Sequence, residues 1–278
     1  MKLFFFLSIL GSLGYGAFWT LEKRPDLKVN LMEMLPSSEL TTLEIRYTPR
    51  QIMESHREEL LKSGRHKYLE TETKFYPYLL LEVKYSVSPK KTEESLILWD
   101  LSDGEMVLNT KGWEKTHGFG DCIAARTTRK EFTILRILAK KGGACEREDI
   151  LRALHMENET LNALIEGLKR KQLLVASGNR YRLHLQNPNL KVTPITEMHE
   201  RLVTKTGKNT TKVSKRFSLS QVERLAKAAF GDEFAIRHTT DVYLPVHSIV
   251  VQNPDGSLHT SLWNALNGKR ILYSHSGD

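Results

Sequence analysis

Leu3 to Leu21 (LFFFLSILGSLGYGAFWTL) runs without a single charge, and this stretch constrains the chain more than any other. As a helix it would be about 28 Å long at about 1.5 Å per residue, matching a hydrocarbon core about 30 Å thick. A segment of this kind is an anchor or a signal peptide. Its cleavage candidates, Gly14-Tyr15-Gly16 and Ser12-Leu13-Gly14, lack the favoured alanine pair, and Trp19 suits an interfacial belt. Residues 1–22 are therefore expected to be an uncleaved transmembrane helix that meets the membrane through 3–21. The alternative is export after signal cleavage. Lys23, Arg24 and Lys28 follow the run and only Lys2 precedes it, so the positive-inside rule points the C-terminal body towards the cytoplasm.

Charge is divided unevenly behind that segment. Residues 1–127 carry 17 Lys and Arg against 18 Asp and Glu, residues 128–190 carry 12 against 7, and residues 191–278 carry 12 against 8. The whole excess of +8 lies after Thr127. A basic back half implies an anionic partner or a solvated basic surface. The two cysteines, Cys122 and Cys145, allow one bridge at most and exclude a four-cysteine zinc site.

The overall expectation is an α+β protein in successive units. After a linker over 23–42, residues 43–127 read as a small α+β unit. Leu43 to Tyr47 alternates, Thr48-Pro49-Arg50-Gln51 makes a capping box, and Phe75 to Val87 is strand-like. Leu96–Trp99 and Met106–Leu108 flank the turn residues Ser102-Asp103-Gly104. His56, Trp99 and Trp113 read as packing residues, and Gly118 and Gly120 as turn formers. Residues 187–216 form a basic linker. Residues 217–278 read as a second small α+β domain opened by the cap Ser218-Leu-Ser-Gln221.

Between these units, Thr128-Arg-Lys-Glu131 caps a helix that ends at Gly142-Gly143, and a second helix carries Ile150, Leu151 and Leu154. A third places Leu161, Leu164, Ile165 and Leu168 on one face. A hairpin around Ser177-Gly178-Asn179 comes next, with Tyr181, Leu183 and Leu185 on one side and Arg180, Arg182 and His184 on the other. Three helices and a hairpin, ending in LIEGLKRKQLLVASGNRYRL, resemble the winged helix-turn-helix superfamily over about residues 127–186, with the domain itself expected at 128–186. The resemblance implies a third helix directed at a DNA groove and a wing directed at phosphate. The contacts it implies are Asn158 and Asn162 at the front of that helix, Lys169, Arg170 and Lys171 at its end, and Arg180 and Arg182 on the wing. Departures are Glu157, Glu159 and Glu166 on the same helix, and Cys145 where a Ser or Thr would cap the second.

Lys205 to Arg216 adds Lys205, Lys208, Lys212, Lys215 and Arg216 without an acid, and reads as a mobile loop that tracks phosphate or as a solvated linker. No Walker loop, GxSxG, HExxH or strand-linked GxGxxG occurs. His238, His247 and His259 lack the helical spacing of a zinc site. No catalytic residue, metal site or cofactor is therefore expected. Two functions are consistent with the residues: a membrane-tethered nucleic-acid binder acting through 128–216, or an envelope or secretion-associated scaffold whose winged helix docks a protein. A hydrolase using the C-terminal histidines is the remote third.

Overall fold

The computed structural model describes residues 39–88, 91–206 and 210–271. The chain divides into two units. One comprises residues 1–40 and 204–209, of which only strand residues 39–40 and 204–206 are described; the other comprises 41–203 and 210–278 and holds the large sheet with the helices packed on it.

The expected series of units is corrected by one pairing. β2 (Lys67–Ser88) and β11 (Ala235–Gln252) run antiparallel from Lys67↔Gln252 to Lys84↔Ala235, so strands from both ends of the sequence share one sheet. Around them β3 (Lys91–Asp100), β4 (Met106–Asn109) and β5 (Glu114–Lys115) extend one side, and β12 (Leu258–Asn264) and β13 (Arg270–Ile271) the other. The fold is mixed α/β with a large, mostly strand sheet. Alternation within each segment shows which residues face a core, but it does not say which distant strand supplies the partner.

Two prolines mark where outer strands stop. Pro77 immediately precedes Tyr78↔Asp100, the last pair with β3, and Pro245 immediately precedes Val246↔Asn264, the last pair with β12. Proline has no N–H for a ladder, and each of these sits mid-strand in the central pair at the point where the outer neighbour stops.

The sheet buries both faces, which explains the unbroken buried run Phe75 to Leu81. Leu79, Leu81, Val83, Ile97 and Trp99 face one core, shared with five helices: α3 (Phe119–Ala124), α4 (Arg129–Lys140), α5 (Arg147–Leu154), α6 (Asn158–Arg170) and α7 (Leu219–Phe230). Phe119 stands at its centre, against Trp99 at 5.5 Å and edge-on to Phe132 at 5.6 Å. Tyr76, Tyr78, Leu80, Leu98, Val242 and Leu244 face a second core. A third cluster joins Ile249 and Trp263 to Ile52 of α1 (Pro49–Ser55) and Leu60 of α2 (Arg57–Leu60). The capping boxes at Thr48, Thr128 and Ser218 all form.

Between Arg129 and Leu183 the order is α4, β6 (Ala144–Glu146), α5 (Arg147–Leu154), α6, β7 (Leu174–Ser177) and β8 (Arg180–Leu183). The three strands form an antiparallel sheet in the order β6–β8–β7. Ile134, Leu135, Leu138, Leu161 and Leu168 of this segment belong to the same core as the large sheet.

Residues expected as a basic linker are stitched to the sheet instead. Thr196 Oγ1 donates to Val107 O at 2.5 Å and accepts from Leu98 N at 2.9 Å, and Glu197 N donates to Leu108 O. Further on, β10 (Thr211–Lys212) pairs with β2, and Arg216 N and Phe217 N donate to Leu101 O. Backbone groups placed against a sheet find partners there, which charge counting alone does not reveal.

The single-pass membrane reading is also corrected. Among the described residues no helix is long and apolar enough to cross a membrane. The longest there, α6, has 13 residues, about 20 Å against a core of about 30 Å, and carries Glu159, Glu166, Lys169 and Arg170. The expected anchor at 3–21 lies outside the described residues, and the membrane localisation drawn from it is carried no further.

Candidate functional site

The 128–186 segment scatters its expected contacts between engaged and free groups. Asn158 opens α6 but its Oδ1 accepts from Arg147 Nη2 at 3.1 Å, while Arg147 Nη1 donates to Tyr181 Oη at 3.0 Å. That arginine links α5, α6 and β8. Lys169 pairs with Glu166 at 2.8 Å. Lys171 pairs with Glu131 at 2.6 Å and donates to Arg126 O at 3.3 Å. Burial alone would raise Glu131, but Lys171 and the Thr128 cap hold it below the usual glutamate range.

Asn162 and Arg170 are exposed on α6, and Arg180 and Arg182 are exposed on the same side of β8, whose Tyr181 and Leu183 are buried. Among the described residues neither of these β8 arginines has an ion pair.

The 205–216 set is divided. Lys205 falls in the smaller unit, and Lys208 lies outside the described residues. Lys212 sits in β10 with its ammonium 5.3 Å from the Tyr243 ring centre. Lys215 pairs with Asp241 at 3.2 Å. Arg216 stacks over Phe217 at 5.1 Å and borders a cleft of about 840 Å³.

That cleft was not visible as a site in the sequence, and its floor is a polar cluster at the β3–β4–β5 corner. Lys115 Nζ lies 2.5 Å from Asp100 Oδ2 and 2.8 Å from Asp103 Oδ2. Burial would pull the ammonium down, but the two carboxylates hold it above the usual lysine range. Burial and then Asp100 raise Asp103, with Lys115 pulling it back. Tyr78, whose ring lies 5.5 Å from Lys115 Nζ, is held well above the usual tyrosine range by burial and by Asp100 and Asp103.

Beside this cluster Glu105 closes the turn before α3. Its carboxylate accepts from Thr116 Oγ1 at 2.6 Å, Gly118 N at 2.9 Å, Gly120 N at 3.0 Å and Phe119 N at 3.2 Å. Burial pushes the carboxyl up to about 7 while Thr116 and the backbone donors pull it back. Every one of these contacts is a donor, three backbone N–H groups and the Thr116 hydroxyl, so Glu105 ties β4 to α3. Gly118 supplies φ of 99°, and at Gly120 a Cβ would stand 2.0 Å from Asp103 O. The sequence signal was present as a density of Gly and charged residues in Asp100 to Asp121, between strands. It marks a turn, and the ion cluster appears only once β3, β4 and β5 align.

The remaining groups have structural partners. His247 is buried, with Nδ1 2.9 Å from Thr73 Oγ1 and Nε2 2.8 Å from Tyr47 O. His56 stacks at 4.4 Å on Trp263. Cys122 and Cys145 are both buried free thiols, and burial pushes Cys122 up to about 12. Among the described residues no three His, Cys, Asp or Glu side chains group as a metal site. Compared with protein-family models, curated proteins and solved structures, the chain has no match.

Proposed function

We propose that the protein is a non-enzymatic binding protein whose 128–186 segment is a winged helix that meets nucleic acid through its wing. The observation that carries the reading is the pair Arg180 and Arg182. They are exposed on one side of β8 without an acidic partner among the described residues, while Lys169 and Lys171 are held by glutamates. The order helix, strand, two helices and hairpin supports it, since in such modules the third helix enters a groove and the flanking strands reach the backbone. Arg170 and Asn162 lie exposed on that helix. Glu159 and Glu166 disfavour close approach of bases, so the contacts are to phosphate and carry no sequence preference.

A titration of labelled duplex DNA and RNA at two salt concentrations tests this. Each phosphate neutralised contributes a slope of about −0.9 in log K against log salt on duplex DNA. Arg180→Ala with Arg182→Ala flattens that slope by up to about two units. Absence of salt-dependent binding at low salt sinks the reading.

A second reading, a scaffold that docks a protein on the same face, rests on Val175. It is 40% exposed and stands opposite Arg182 across β7–β8. Under it the arginine changes leave nucleic-acid binding undetectable in every variant.

A further inference from the structure

The cleft beside the Lys115 cluster has features that the wing reading does not use. Three independent observations converge there. First, Trp113 borders it, half-buried, with its ring edge-on to Tyr78 at 5.6 Å. Its φ of 56° is a backbone conformation that bulky side chains seldom adopt. Trp99 and Trp263, by contrast, are buried in cores. Second, Arg216, Lys269 and Arg270 border the same cleft. Arg216 and Lys269 have no acidic partner among the described residues, and Arg270 touches Glu59 at 3.4 Å and His259 at 3.2 Å. Among the described residues neither acid at the floor forms an ion pair with them: Asp103 is engaged by Lys115 and Glu105 by Thr116 and the backbone.

Third, Asn264 is 1% exposed, borders the cleft, and has an Nδ2 without a hydrogen-bond partner among the described residues. Its Oδ1 accepts from Leu266 N at 2.9 Å, and its main chain is tied to Gly268 and Lys269, so the turn that presents Lys269 is fixed. A buried donor without an acceptor calls for an explanation, and a ligand oxygen supplies one.

We infer that this cleft binds a mononucleotide, its base stacked on Trp113, its phosphate held by Arg216, Lys269 and Arg270, and an oxygen accepting from Asn264. An indole face accepts any base, and a base stacked on an aromatic ring is a recurrent mode of nucleotide recognition. Arginine and lysine supply the charge-assisted contacts to phosphate. A bare anion leaves the indole unused, and an uncharged ring leaves the three cations unused. The exposed Glu114 and Asp121, also on the wall, are acceptors for ribose hydroxyls. The volume of about 840 Å³ lies within the range of small-molecule sites. The nucleotide site stands apart from the wing and does not depend on it.

Calorimetric titration of the full chain with AMP and with UMP tests it, with adenosine and inorganic phosphate as the two halves. The expected result is one site that binds either nucleotide at least about tenfold more tightly than adenosine or phosphate alone. Trp113→Ala weakens the nucleotide by about tenfold or more, in line with the loss of one stacked base. Because Trp113 packs on Tyr78, its variant is read only where its melt is cooperative; Arg216→Gln with Lys269→Gln then serves as the second test. That pair weakens nucleotide and phosphate together and leaves adenosine unchanged. Arg180→Ala with Arg182→Ala leaves nucleotide affinity unchanged. The inference is overturned by no heat at millimolar nucleotide, by phosphate binding as tightly as nucleotide, by unaltered affinity in the folded Trp113 and Arg216/Lys269 variants, or by loss of affinity in the wing variant.

Discussion

The corner from Asp100 to Gly120 and the β7–β8 hairpin from Leu174 to Leu183 both place charged residues on short antiparallel strands, yet they treat those charges in opposite ways. At the corner, Lys115 is 15% exposed at its side chain and sits between two carboxylates, one of them fully buried. On the hairpin, Arg180 and Arg182 project from the outer side of β8, and the inner side supplies Tyr181 and Leu183 to the core. Charge that is buried and paired fixes a geometry, and losing one partner strands the other. Charge left exposed adds little to stability and is available to a partner. A formal count of +8 merges the two kinds; only their surroundings separate them.

The largest effect that would break this comparison is at Lys115. Lys115→Met leaves Asp100 and Asp103 facing each other without their cation, and a loss of about 3–5 kcal/mol in denaturant-unfolding stability is expected. Tolerance of that change would show that the corner is as permissive as the hairpin.

Next comes Glu105, whose folded-state value near 7 stands above the usual 4.5. A raised carboxyl contributes stability that is fully present below pH 4.5 and is lost as pH rises through about 7. Relative to Glu105→Gln, the wild-type protein should therefore lose up to about 3 kcal/mol between pH 4.5 and pH 8. Parallel pH–stability curves for the two proteins would contradict the assignment.

Gly120→Ala is expected to cost about 1–3 kcal/mol, because its Cβ would strike the backbone oxygen of Asp103 and one of the two segments must shift. Thermal melts of the two proteins measure it. The smallest effect belongs to the hairpin: Arg180→Ala with Arg182→Ala should shift stability by no more than about 0.5 kcal/mol per site. A larger loss would place those arginines in the fold.

Much of the local structure was legible. Thr48, Thr128 and Ser218 carry cap signals that each depend on four adjacent residues, and all three boxes form. The turn at Ser102 to Gly104 brings Leu98 opposite Val107 and Trp99 opposite Met106, in keeping with alternation on either side. The pairing of β2 with β11 was not legible, since the two strands are far apart in the chain and every half-buried strand offers similar edges. For the same reason residues 43–127 and 217–278 read as separate α+β units when their strands share one sheet.

The candidate sites divide in the same way. Arg180 and Arg182 could be placed outward by a period of two, because Tyr181 and Leu183 alternate with them. Lys171 could not be distinguished from Arg170 by sequence; forty residues separate it from Glu131, and only the packing of α4 against α6 brings them together. Trp113 was read as a packing residue, and it does pack on Tyr78, but it also borders the cleft. Arg216 and Arg270 lie far apart in sequence and meet at one cavity through the fold of the sheet.

Engaged and free cations of the 128–186 segment are expected to differ in their response to salt. The salt dependence of duplex DNA binding is compared for the wild-type chain, Arg180→Ala with Arg182→Ala, and Lys169→Ala with Lys171→Ala. The hairpin pair is predicted to flatten the slope of log K against log salt by up to about two units with stability unchanged. The helix-end pair should leave the slope unchanged and lower the unfolding midpoint, through loss of the Lys171–Glu131 contact. A slope that responds to Lys169 and Lys171 but not to Arg180 and Arg182 would contradict it.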